Sequence, residues 1–251
     1  MTDDRRTTPL EPDSIEPQMC TIDLRLQILH GLPFFAALSH DDIAAINPLF
    51  REAGYEPGAP IYYAGDPADR LYVVAAGKVK LIRHALSGQE RVLDLLLPGD
   101  FFGSLPLMGE AEHSDTAQAH TTCCVLTISA PDFQTILERY PPVSLALLEI
   151  VAGRLRAARE MLHQTSAAPV ESRVAALLLR LAERAGEERA EGWLIQMPLG
   201  RQDIADMLGI TVETASRTLS QFRKDGLIRS GRRWIAIADR AQLAERAGQA
   251  T

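Results

Sequence analysis

Near the C-terminus, Glu213, Ser216 and Arg217 stand at i, i+3 and i+4, the spacing that puts three side chains on one face of an α-helix. An arginine can hold guanine O6 and N7 with two hydrogen bonds. A glutamate can accept from the cytosine amino group, and a serine can donate or accept. Two of the three therefore suit a G·C pair. The same Glu213 and Arg217 also read as a solvated ion pair worth about 0.3 kcal/mol, and such a pair would orient Arg217 before DNA arrives. Around the trio, Thr211, Arg223, Lys224, Arg229, Arg232 and Arg233 offer hydroxyl and cationic donors that would fix register on phosphates without reading sequence.

A second set of reactive residues is Cys20, Cys123 and Cys124. Three thiols make no disulfide framework, and the odd count fits a reducing compartment. Neighbours on a strand point to opposite faces, so Cys123 and Cys124 do not easily share one ligand. They read as small buried hydrophobes or, together with Cys20, as a thiol switch. His30, His84, His113, His120 and His163 are candidate haem ligands, each also readable as a surface residue. Ser104, His113 and Asp115 lie close in sequence, but a catalytic triad requires geometry. With no Walker loop, HExxH or CxxC pair, the chain reads as a non-enzyme.

The elements that must position these residues follow from periodicity and punctuation. Residues 200–224 read as two short helices. Ile204, Ala205, Met207, Leu208, Ile210, Val212, Ala215, Leu219 and Phe222 close a core, Gly209 sits at the turn, and Thr211 caps the second helix. This is a helix-turn-helix whose second helix would enter the major groove. Residues 227–237 read as a hairpin with Gly231 in its turn and Arg232 and Arg233 at its tip, with Trp234 in the core. Upstream come a helix over 170–185, an acidic loop over 186–192 and a short strand over 193–198. Residues 165–169 read as a hinge.

Between Tyr55 and Ser129, glycines punctuate short runs at 60–64, 71–75, 78–84, 91–97 and 121–129, with Ser87-Gly88 as a turn. That texture predicts a small all-β roll. Helical segments precede it over 22–50, with Ser39 as an N-cap. After it, Pro141-Pro142 opens a long helix with a stripe through Val143, Leu147, Ile150, Val151, Leu155, Ala158, Met161 and Leu162. The stripe suits a partner helix, and a core helix of the same domain is the other reading. The chain thus divides into an N-terminal arm (1–20), a β-roll (21–140), a dimerisation helix (141–166) and a winged helix-turn-helix (167–251), an α+β architecture.

The 251 residues carry a net charge of −7, which by itself argues against nucleic acid. Residues 1–164 hold 13 Lys/Arg and 22 Asp/Glu, however, while residues 165–251 hold 13 and 11. A basic C-terminal part attached to an acidic body points phosphate binding there. No run nears the ~18 apolar residues that span a bilayer, and the first 19 residues lack a secretory apolar core. A cytoplasmic protein without a membrane partner is expected.

In this order of elements the chain resembles the CRP/FNR superfamily of transcription regulators over residues ~25–245. The sharpest likeness is LGITVETASRTLSQFRKDGLI (208–228), which is similar to the FNR branch in having Val212, Glu213, Ser216 and Arg217 at the start of the recognition helix. The resemblance implies a cyclic-nucleotide-binding-like roll (a double-stranded β-helix), a homodimer, and a palindrome of the TTGAT-N4-ATCAA kind on double-stranded DNA. It also implies RNA polymerase as partner, with activation the commoner outcome. The docking geometry is that of the cAMP-receptor member, which is itself a standard example of this mode.

The family's cyclic-nucleotide cassette has a Glu directly after its FFG run and an Arg-Ser pair about ten residues later. Here Ser104 follows Phe102-Gly103, and Ser114 and Asp115 stand where Arg-Ser belongs. An aspartate repels a phosphodiester, and this segment leaves no cation, so cyclic nucleotide is not expected as effector. The FNR branch includes members with a [4Fe–4S] cluster on four cysteines. A four-cysteine cluster within one chain is excluded here, because Cys20 has no close cysteine neighbour and the roll cysteine aligns with Leu126. Haem remains as in gas-sensing relatives, as does a redox switch, a small apolar ligand or no ligand. Where cluster-dependent relatives carry an acid in the dimer seam, this chain has Ala158, which implies a constitutive dimer. The competing reading is a ligand-sensing module acting on a protein partner.

Overall fold

The structure is a computed structural model. It describes residues 9–10, 21–84, 90–106, 109–165 and 168–248, excluding the side chains of residue 154 and of residues 157–165. The Ser87-Gly88 turn, Cys20 and most of the expected 1–20 arm lie outside the described residues. The chain divides into two units, one spanning residues 13–160 and the other made of residues 1–12 and 161–251.

In the first unit, α1 (Ile22–Gly31) begins at Thr21, whose hydroxyl accepts from Leu24 N at 3.3 Å. α2 (His40–Ile46) starts with a capping box between Ser39 and Asp42. Eight strands follow: β1 (Arg51–Tyr55), β2 (Pro60–Tyr62), β3 (Arg70–Ala76), β4 (Val79–His84), β5 (Glu90–Leu96), β6 (Phe101–Ser104), β7 (Thr116–Ala119) and β8 (Cys123–Ser129). They make two antiparallel sheets, β1-β8-β3-β6 and β2-β7-β4-β5. β1, β6 and β7 were not predicted. β7 is Thr-Ala-Gln-Ala, with little intrinsic strand preference, and becomes a strand because β2 and β4 both pair with it.

The central strands bury both faces, so they read as apolar runs rather than alternations. Along β3, Leu71, Val73 and Ala75 face one core while Tyr72 and Val74 face another. The first core gathers Cys124, Leu126 and Ile128 of β8 with Leu29, Phe34, Phe35, Ile43, Phe133 and Val143 from helical segments. The second lies between the sheets and holds Tyr62, Phe102, Cys123 and Val125. α3 (Ala130–Arg139) is capped by Ser129, and α4 (Pro141–Thr165) follows it.

In the second unit, α5 (Val170–Ala185) precedes the antiparallel pair β9 (Gly186–Arg189) and β10 (Gly192–Ile195). The expected acidic loop over 186–192 is therefore mostly a strand and its turn, held because β10 offers it a partner. α6 (Arg201–Leu208) and α7 (Val212–Lys224) follow, then the hairpin β11 (Ile228–Gly231) and β12 (Trp234–Ile237), and last α8 (Arg240–Ala247). The sheet order is β11-β12-β10-β9. α8 was not predicted. It is tied down by Leu243, which is fully buried, and by Arg246 bonding Asp225 at 3.2 Å.

Candidate nucleic-acid interface

Gly209 makes the turn between α6 and α7 with φ 62°, a left-handed conformation that costs a residue with a side chain about 1 kcal/mol or more. Ile210 N then bonds Ala205 O at 3.0 Å. Thr211 caps α7, its hydroxyl accepting from Thr214 N at 3.2 Å. Ala215, Thr218, Leu219 and Phe222 face inward. The i, i+3, i+4 arithmetic then forces Glu213 and Arg217 outward, and both are exposed, with Ser216 half-buried beside them. Among the described residues no ion pair joins Glu213 to Arg217, so the solvated-pair reading is not the arrangement present.

α7 has 13 residues, about 20 Å at 1.5 Å per residue. That exceeds the ~12 Å width of the major groove. Thr211 at its start and Arg223 and Lys224 at its end are all exposed. The hairpin reaches its tip at Arg232 and Arg233, because Gly231 pairs with Trp234. Gly231 thus both ends β11 and opens the four-residue turn 231–234. Its role is close approach: a Cβ there would meet Trp234 Nε1 at 2.3 Å. Trp234 is half-buried against the hairpin. Arg233 takes the positive φ of 61° itself, and its carbonyl accepts from Leu199 N at 3.0 Å.

Arg229 is engaged differently from expectation. Its guanidinium donates to Ala190 O at 3.1 Å and so props the β9–β10 turn. Arg201, the exposed first residue of α6, was missed. Two residues from the Leu199–Arg233 bond, it adds a cation to the wing side. The readable signal was a basic residue directly after the Gly200 cap.

α4 does not present the expected stripe as one face. Val143 and Leu147 are buried in the core of their own unit, and Ile150 packs against it. Val151 and Leu155 are exposed, and so are Leu145 and Leu148, at 66% and 65%. At about 100° per residue these four form a second stripe turned by roughly 120° from the first. Leu145 and Leu148 were missed because a single run of three- and four-residue steps, passing through both faces, already satisfied the helical period. The side chains of Ala158, Met161, Leu162 and His163 lie outside the described residues.

Inside the roll, His113 is 4% exposed and stacks on Tyr62, ring centroids 3.7 Å apart. Among the described residues its Nε2 has no hydrogen-bond partner. Burial pushes its pKa below the ordinary histidine value, against the pull of the Asp115, Asp66, Asp69 and Glu110 carboxylates. The Tyr62 hydroxyl donates to Asp115 Oδ1 at 2.9 Å, and burial plus that carboxylate hold the phenol far above its usual range. Burial likewise pushes Tyr72 up to about 12. Ser104 donates to Glu110 at 2.7 Å. One expectation is corrected. A cation does reach the Ser114 segment, since Arg83 of β4 donates to Ser114 O at 3.1 Å and Ser114 Oγ at 3.2 Å. It was missed because it comes from a strand 31 residues away. Cys123 and Cys124 are both buried and face the two different cores. Cys124 is disulfide-bonded. Among the described residues, no group of three or more His, Cys, Asp or Glu could hold a metal ion.

A winged helix-turn-helix with Glu213 and Arg217 exposed on its second helix, in a chain that also carries a β-roll, defines a DNA-binding transcription regulator. Residues 53–140 match the cyclic nucleotide-binding domain family, and residues 172–246 match the Crp-like helix-turn-helix domain. The cyclic AMP receptor protein of Thermus thermophilus is 34% identical over 217 residues, 86% of this chain and 97% of that one. The transcriptional activator FnrL of Cereibacter sphaeroides is 29% identical, over 85% of this chain and 87% of its own. The structure of FixK2 from Bradyrhizobium japonicum superposes with a TM-score of 0.71 at 28% identity, covering 80% of this chain and 99% of that one. The chain belongs to the CRP/FNR family of transcription regulators. That family binds DNA, is typically dimeric and is not a family of enzymes. Among the described residues no helix is long and apolar enough to cross a membrane.

Proposed function

We propose that the protein is a homodimeric activator that reads a TTGAT-N4-ATCAA palindrome and recruits RNA polymerase in the cytoplasm. The observation that carries this reading is the exposed Glu213–Ser216–Arg217 face of α7, flanked by cations at the wing tip. Arg217 takes the guanine of the TTGA half-site, Glu213 its paired cytosine, and Ser216 a neighbouring edge. Thr211, Arg223, Lys224, Arg232 and Arg233 hold phosphates. A second copy of the chain covers Leu145, Leu148, Val151 and Leu155, since a stripe this apolar at the foot of α4 has no partner within its own unit.

Cyclic nucleotide is not the effector in this reading. The inner wall around His113 is aromatic and acidic, and the Tyr62–Asp115 bond places a carboxylate where a phosphodiester would be repelled. Arg83 is the one element against it, and titration of the purified dimer with cyclic AMP decides. The unpartnered Nε2 of His113 favours a second reading, in which the same regulator senses a small ligand that donates a hydrogen bond inside the roll.

The test is binding to a duplex carrying the palindrome and to one with the guanines replaced. Arg217→Ala should cost about 1–3 kcal/mol on the first and little on the second, with an unchanged circular dichroism spectrum. Equal loss on both duplexes would leave Arg217 as a phosphate contact and overturn the assignment.

A further inference from the structure

His30 stands in the last turn of α1 and His40 opens α2. Their rings meet edge to face, with centroids 4.5 Å apart and planes at 80°. Both residues are exposed. Among the described residues neither ring takes part in a hydrogen bond or an ion pair, so their nitrogens are open to a ligand.

The backbones that carry the two rings are anchored. Leu29 directly before His30, Leu32, Phe34, Phe35 and Leu38 between the two, and Ile43 after His40 are all buried in the first core. The Ser39–Asp42 capping box fixes the first turn of α2. Two imidazoles ten positions apart in sequence are thus brought together before anything binds. A ligand that needs both pays little for ordering them.

The separation is the one a shared metal ion requires. A bond of ~2.1 Å from metal to imidazole nitrogen puts the ion ~3.2 Å from each ring centroid. Two such ligands at ~90° have centroids ~4.5 Å apart, whereas a tetrahedral angle needs ~5.2 Å. The spacing therefore suits square or octahedral positions better than tetrahedral zinc. Imidazole is a good ligand for nickel and copper, and both ions favour right-angled sites. Asp41, exposed beside His40, adds negative charge. Among the described residues no third His, Cys, Asp or Glu joins the pair as a ligand.

We propose that His30 and His40 form a surface binding site for divalent nickel or copper, with water in the remaining positions, that clips α1 to α2. Neutral imidazole is the ligand, so the site empties as pH falls. Because the rings are adjacent only in the folded chain, the ion stabilises that chain.

The experiment titrates the untagged full-length protein with Ni²⁺ by calorimetry in a non-coordinating buffer. Nickel is the probe because, unlike copper, it does not oxidise thiols. One ion per chain should bind in the micromolar range and raise the melting temperature by several degrees. His30→Gln and His40→Gln should each abolish both effects, while His84→Gln, at another exposed histidine, should change neither. Saturation only in the millimolar range, as for separate surface histidines, would overturn the proposal. So would micromolar binding that survives either substitution. Should a substitution lower the metal-free melting temperature, paramagnetic broadening of the wild-type histidine ring signals decides: His30 and His40 should broaden first at substoichiometric Ni²⁺, and another pair broadening first would overturn the site. None of these readouts involves DNA, so failure here is separate from failure of the proposed function.

Discussion

Replacing Arg233 by glycine separates what the wing tip does for the fold from what it does for DNA. Arg233 holds φ 61° in a two-residue turn, a conformation that costs a non-glycine residue about 1–2 kcal/mol. Glycine removes that cost but loses about 0.5–1 kcal/mol through the freer unfolded chain. The bond from Leu199 N to the residue 233 carbonyl uses backbone alone and survives. Stability should therefore stay level or rise by up to about 1.5 kcal/mol. DNA affinity should fall. Each neutralised phosphate contributes a slope of about −0.9 in log K against log salt. At 0.15 M salt that is ~0.7 log units, or ~5-fold per subunit and ~30-fold for a dimer with two wings. Fluorescence anisotropy on a labelled palindrome across a salt series reads both numbers. The expected outcome is a slope shallower by about 2 and a loss that is the same on specific and random duplexes. An unchanged slope in a protein that melts at or above the wild-type temperature would refute the wing-phosphate contact. A melting temperature several degrees lower would refute the strain argument.

Three further outcomes follow from the same geometry. Leu148→Glu puts a charge in the proposed seam at a side chain 65% exposed in the single chain; light scattering should show monomers at micromolar concentration with unchanged thermal unfolding of each unit, and a persisting dimer would move the seam elsewhere. Thr211→Asp keeps a side-chain acceptor for Thr214 N while adding an anion at the groove edge, so it should hold stability within about 1 kcal/mol yet weaken DNA binding, whereas Thr211→Ala should cost about 1 kcal/mol of stability; equal DNA affinity for both would remove Thr211 from the phosphate contacts. For His113, whose folded pKa lies below the ordinary value of 6.5, the unfolded chain takes up the proton first as pH falls. The contribution of the neutral imidazole is present above about pH 6.5 and lost as pH drops through the interval below it. His113→Gln should flatten that part of the denaturation-midpoint profile, and an identical slope in the variant would sink the assignment.

What was legible in the sequence depended on whether a residue's neighbours in space were also its neighbours along the chain. The helix-turn-helix is local: Gly209, Thr211 and the inward set Ala215, Leu219 and Phe222 fix one another within two turns, so the outward face could be named residue by residue. The wing tip at Arg232 and Arg233 was legible, but the use of its glycine was not: the turn spends the positive φ on Arg233 and keeps Gly231 for the Trp234 ring. Arg83 at Ser114, and β7 between β2 and β4, depend on pairings that no local pattern encodes.

The long helix α4 shows a different limit. A single amphipathic stripe has one answer to the question of which face is buried. This helix carries two, with Val143, Leu147 and Ile150 on one side and Leu145, Leu148, Val151 and Leu155 on the other. Apolar on both sides, a helix must be covered twice. Its own unit covers the first stripe. Four large apolar side chains left between 46% and 66% exposed within three turns make a patch of the kind that marks an interaction surface. The sequence pattern registered that an apolar face existed and assigned it to a partner, but merged the two stripes into one. Burial separates them, and it predicts that substitutions on the two faces differ in kind. Leu147→Ala should cost ~2–5 kcal/mol of stability in the first unit. Leu148→Ala should leave the stability of an isolated subunit within ~0.5 kcal/mol and weaken only the association of two. If chemical denaturation at low protein concentration found the two substitutions equally costly, the outer stripe would belong to the core of the single chain and the dimer would need another seam.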